Sequence, residues 1–154
     1  IVREAFGDDM PYDRVRLRQG SGHNPIPMLA FLNKNNDAIT LCRSLYFERH
    51  YYEDFSKAPA EAQGLLLHEM THVWQYASLG VPRFVARYAI DLISCGFRPS
   101  LMYDYESKPQ PFPKARLEAQ AQMVGHYCAA RVAGKAKSVA GLEPRLKTSG
   151  IYGL

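Results

Sequence analysis

Cysteine is scarce in this chain of 154 residues: there are three, Cys42, Cys95 and Cys128, with no CxxC pair among them. An odd count at wide spacing argues against a disulfide framework and against a thiolate zinc site. All three are expected to behave as small buried hydrophobes. Long apolar runs are also lacking, and none approaches the ~20 residues that cross a bilayer, so no membrane span is expected. The opening Ile1 to Ala5 has no signal-peptide core, which leads us to expect a cytoplasmic location in the producing cell. The missing initiator Met also fits one domain of something longer.

Charge of one sign is not abundant. The net charge is +4, and the basic residues are scattered apart from a loose cluster at Arg131, Lys135, Lys137, Arg145 and Lys147. We read residues 135–154 as a basic, flexible tail and not as a phosphate-binding patch, so a nucleic-acid partner is not expected. A nucleic-acid-associated protease would need DNA binding with a steep salt dependence. With 47% hydrophobic and 22% charged residues, the chain has the make-up of a folded domain. We expect one domain over 1–134.

Arg14 to Arg18 alternates with Val15 and Leu17, the period of a half-buried strand. Two apolar runs, Met28 to Leu32 and Ala38 to Cys42, flank the cluster Asn33 to Asp37 and predict a β-hairpin. Leu45 to Phe55 fits strand or helix. Pro59 and Gly80 bracket a strong helix, and a second follows Pro82 up to Gly96. Four prolines make 97–113 a loop, and a third helix runs from near Pro113 to about Gly134. The expected fold class is α+β: a small zincin-like domain with a short N-terminal β-hairpin or sheet packed on a central helix and two more helices.

That central helix carries LLLHEMTHVWQ, in which His68, Glu69 and His72 form HExxH. Residues four apart stack on one helix face, so both imidazoles can bind one ion, and neutral imidazole suits zinc. Glu69 is placed to deprotonate a zinc-bound water, making it the expected general base. The pattern also arises by chance on surface helices. Here Leu65, Leu66, Leu67, Met70, Val73, Trp74 and Ala77 surround it with apolar residues, and ionisable groups in such a setting need a partner. The metzincin subclass is excluded, because Gln75 and Ser78 stand where it requires Gly and His.

The third ligand is left to carboxylates. Glu118, at the start of the third helix, is preferred; Asp91, inside the apolar run Ala89 to Ile93, is the alternative, with Asp104 and Glu106 behind it. Tyr103 and Tyr105 are candidate donors to the oxyanion of the attacked carbonyl, as are Tyr127 and His126. Gln75, Gln122 and Thr71 are candidates to hold the ligating imidazoles. The cofactor is expected to be one Zn2+ and the activity that of a zinc endopeptidase acting on a protein or peptide. The alternative is a catalytically inactive, zinc-stabilised binding module, which a fourth protein ligand such as His126 would favour.

The stretch HEMTHVWQ resembles the HELTHVVQ signature of DUF4157-type metallopeptidase domains. FGDDMPYDRVRL, GLLLHEMTHVWQ, the YDY of 103–105 and RLEAQAQMV resemble small bacterial Vgr-related proteins, over roughly residues 6 to 130. The resemblance implies a gluzincin-like zinc fold with His68 and His72 as ligands, Glu69 as base and Glu118 as the helix-borne glutamate. It also implies an effector or particle-processing role with a contractile tail or type VI secretion machine. Export by such a machine, and a partner among its components or an immunity protein, would follow. Gln120 and Gln122 stand where that family often has an acidic residue.

Overall fold

The computed structural model describes every residue except Asp9, 33–35 and Lys108. Among the described residues the architecture is α+β, with six helices and one three-stranded sheet. Strands β1 (Arg16–Gln19), β2 (Ala38–Leu41) and β3 (Ser44–Phe47) are ordered β1-β3-β2, with β1 parallel and β2 antiparallel to β3. The hairpin therefore differs from the expected one. It joins β2 to β3 through Cys42 and Arg43, with Cys42 at φ 55°. Residues Pro25–Phe31 instead form a helix, α2, after the short α1 (Val2–Phe6). Pro25 fits the first turn, and the side chain of Asn24 accepts from the Ile26 N–H. A five-residue apolar run fits either state, and this cap decides for helix. The expected turn falls partly on 33–35, outside the described residues.

Helix α3 (Ala60–Leu79) lies at the centre, with twelve buried residues that include Leu67, fully enclosed. It begins behind Pro59 and stops at Gly80, whose φ of 74° suits glycine. α4 (Val81–Ser94) follows at once, and after two short 3-10 turns α5 (Leu117–Val132) packs along α3. The close approach is made by Gly64 and Gly125. A Cβ at Gly64 would stand 2.7 Å from the Gly125 carbonyl oxygen, and one at Gly125 would stand 2.8 Å from the Gly64 oxygen. Bringing these backbones together carries the N-terminal turn of α5 towards the histidines of α3.

Residues 136–146, expected to belong to a flexible tail, form α6 (Ala136–Leu146) against α5. Leu142 and Leu146, four apart, bury one face in the core, and Ile151 follows them. The interleaved Lys and Arg residues hid that spacing. The cysteines also differ from expectation in one case: Cys95 and Cys128 are buried, but Cys42 is exposed at the hairpin tip. No helix among the described residues is long and apolar enough to cross a membrane.

Candidate metal centre

His68 and His72 lie one turn apart on α3, both buried, with ring centroids 5.1 Å apart. Glu118, in the first turn of α5, comes to meet them. Its Oε2 is 3.3 Å from His68 Nε2 and 3.2 Å from His72 Nε2. Among the described residues this fully enclosed oxygen has no hydrogen-bond partner besides those two rings, and with both rings neutral it has none. A buried carboxylate oxygen without a donor is costly. Ligand atoms ~2.0–2.1 Å from a tetrahedral zinc lie roughly 3.3 Å from one another, which is the separation from Glu118 Oε2 to each imidazole. These three side chains are thus spaced to hold a metal ion, and among the described residues they are the one group that could.

Electrostatics point the same way. Burial opposes charge on His72, but the Glu118 carboxylate prevails and raises it from the ordinary 6.5 to about 9. For Glu118, burial is likewise outweighed by His72 and His68, which hold its carboxyl well below the usual range. Without an ion the group stays balanced only by keeping a proton on a ring.

The supports of the ligands are amides. His72 Nδ1 is 2.8 Å from Gln75 Oε1, so the ring donates there and leaves the Nε2 lone pair for the ion. Gln75 Nε2 donates to the Leu117 carbonyl and to Gln120 Oε1, both at 3.0 Å. Gln120 Nε2 in turn donates to the carbonyls of Phe112, at 2.7 Å, and Ala115. This relay ties His72 to the turn that carries Glu118. Gln75 was expected in this role and Gln120, noted only as a departure from the family pattern, was not, while Gln122 lies elsewhere, 2.7 Å from His126 Nε2. The Thr71 hydroxyl donates back to the Leu67 carbonyl and holds neither imidazole.

Glu69 is buried beside the pair, and its Oε2 accepts from the Thr40 hydroxyl of β2 at 2.7 Å. Thr40 was not legible as a site residue, since only the register of β2 against α3 places it there. Tyr103 stacks on His68, with centroids 5.9 Å apart and planes 20° apart. Burial, then Glu118, pushes its phenol far above the ordinary value, so the hydroxyl keeps its proton. Tyr88 lies in the same cavity and was missed; burial, then Glu118, pushes it up to about 12.

Other candidates lie apart from the centre. Asp91 Oδ2 accepts from the Leu117 N–H at 2.9 Å and so caps α5 instead of reaching the histidines. Asp104 accepts from the backbone of Glu106 and Ser107 in an exposed turn. Tyr105 is 2.8 Å from His126 Nδ1, and that pair is not part of the ligand group. Tyr127 packs edge-on against Tyr152 instead.

Comparisons of the chain with protein-family models, curated proteins and solved structures find no match. The functional reading therefore stands on the geometry.

Proposed function

We propose that the chain is a zinc-dependent endopeptidase in which His68, His72 and Glu118 hold the metal and Glu69 is the general base. The observation that carries this is the fully enclosed Glu118 Oε2 set at zinc-ligand spacing from two Nε2 atoms. Zinc bound there supplies a Lewis acid that polarises a carbonyl and lowers the pKa of a water toward ~7. Thr40 fixes one oxygen of Glu69, and the other accepts a proton and passes it to the leaving amine. Tyr103, protonated and stacked on His68, is placed to donate to the oxyanion.

A polypeptide substrate is favoured by β2, an edge strand that lines the cleft, because an extended chain can add to such an edge. His126 is held by Tyr105 and Gln122, and no fourth ligand joins the group among the described residues. A zinc held by these three side chains alone would keep a position for water, which favours the hydrolase over a purely structural module. The sequence resemblance extends the proposal to an effector or particle-processing protease of a contractile secretion or tail machine.

The test is Glu69→Gln, assayed for zinc content and for cleavage of a mixed peptide library. Retained zinc with cleavage lost is expected. Retained cleavage would remove the assigned base, and a zinc-loaded wild type that cuts nothing would favour the binding module.

A further inference from the structure

Two cavities meet at His68, and the side chains that line them differ in kind although both walls are more apolar than polar. One, of about 710 Å³, runs towards α5, and its lining carries ionisable and polar groups that include His50, Glu61, Gln122 and His126 beside Leu65, Pro99 and Ala129. The other, of about 420 Å³, lies between β2, α3 and α4. His68, Glu69 and Tyr103 belong to both, so the cavities are two halves of one cleft with the candidate metal centre at its waist.

The smaller half is walled by Ile39, Leu41, Phe84, Val85, Tyr88 and Leu92, and no Lys or Arg lines it among the described residues. Among the described residues its only acids are Glu69 and Glu118, both engaged at the centre. A charged side chain would find no free counter-ion among the described residues of this wall. The rings of Tyr76, Phe84 and Tyr88 form a near-parallel ladder, with successive planes 25° and 22° apart. Phe84 also stands edge-on to His72, at 6.2 Å between centroids, so the ladder starts at the ligand itself.

Helix α4 explains why this surface exists. Val85, Ala89 and Leu92 follow one another at helical spacing on a face that would ordinarily be packed. Phe84 alone is buried among the described residues of α4, and Val85 is 56% exposed. An apolar face turned into an open cleft beside a candidate catalytic centre has the character of a ligand pocket, and its volume falls in that range.

Resting on the zinc-hydrolase reading, we infer that this half of the cleft receives one large apolar side chain, aromatic for preference, adjacent to the bond that is cut. The substrates are extended polypeptides with such a residue on the α4 side of that bond. The stacked rings favour a flat guest, since aromatic pairs gain beyond the area they bury.

The probes are two hydroxamates titrated by calorimetry into the zinc-loaded chain: acetohydroxamate, which has no side chain to speak of, and 3-phenylpropanohydroxamate. The phenyl compound is expected to bind at least about tenfold more tightly, from burial of its ring. Ala89→Trp, which fills the cavity from an exposed position, and Val85→Asn, which makes its wall polar, should each remove most of that gain. Zinc content and acetohydroxamate binding should stay as in the wild type. Equal affinity for the two probes, or a gain that survives both substitutions, would overturn the pocket and leave the hydrolase reading standing. Failure to retain zinc, or to bind either probe once loaded, would overturn the hydrolase reading and this inference with it.

Discussion

Glu118 Oε2 stands 3.2 Å from His72 Nε2, fully enclosed, although the two residues come from different helices. Glu118→Ala removes the only carboxylate of the ligand group. Zinc affinity should fall by more than about a hundredfold, beyond what loss of a supporting residue costs. Competition with a chromophoric chelator measures it; unchanged affinity would place the ion elsewhere.

Zinc uptake should release a proton. His72, held at about 9 by Glu118 against the effect of burial, keeps its proton at pH 7, and only the neutral ring binds metal. Apparent affinity should therefore rise with pH and level off above about 9. Calorimetry at pH 7 in buffers of different ionisation enthalpy should report the released proton, and identical heats would mean that the ring is already neutral. In the metal-free protein the raised imidazole contributes stability that is full below 6.5 and lost as pH climbs through about 9. The lowered carboxyl contributes stability that is full above 4.5 and lost in acid. Thermal stability without metal should thus peak between those ordinary values.

The His68, His72 and Glu118 group that could hold a metal ion was largely legible in the sequence, because HExxH sets two imidazoles on one turn and Glu118 begins a helix with an apolar face. Asp91 shows the limit of such reading. Its apolar neighbours rightly signalled a partner, but that partner is the Leu117 N–H. Gln120 shows another. An amide is needed there because the residue accepts from Gln75 while donating to Phe112 and Ala115, and a carboxylate cannot donate. Such demands appear only once α3 and α5 lie side by side. In α2 the apolar Met28 and Leu29 are mostly exposed, so the burial rule that suggested a strand had nothing to act on.

Thr40→Val keeps the shape of the side chain but removes the hydroxyl that holds Glu69. Peptide cleavage should drop roughly tenfold in kcat, with zinc content and KM little changed, since a misplaced base loses part of its acid–base contribution. A fall in zinc content instead would mean that Thr40 serves the fold of the centre and not the base.

The amide relay predicts a loss of affinity without loss of any ligand. Gln75→Leu frees the His72 ring, leaves Gln120 Oε1 without its donor and takes the side-chain donor from the Leu117 carbonyl. Zinc affinity should fall about 10–100-fold, with about 1–3 kcal/mol of stability lost for the unpaired groups. Chelator competition and chemical denaturation separate the two effects.

Gly64→Ala should destabilise the chain by at least about 2 kcal/mol, because backbone oxygen, and no flexible side chain, meets the new Cβ. Gly125→Ala meets both the Gly64 oxygen and, at 3.2 Å, His68 Cβ, so it should also weaken zinc binding. Denaturant midpoints with zinc present and absent distinguish the two variants.

A crystal of the zinc-soaked protein, measured on both sides of the zinc absorption edge, tests the centre most directly. One anomalous peak is expected, within ~2.2 Å of His68 Nε2, His72 Nε2 and a Glu118 oxygen, with a remaining position facing the cleft. A peak away from these atoms, no peak at all, or a fourth protein ligand closing the shell would contradict it.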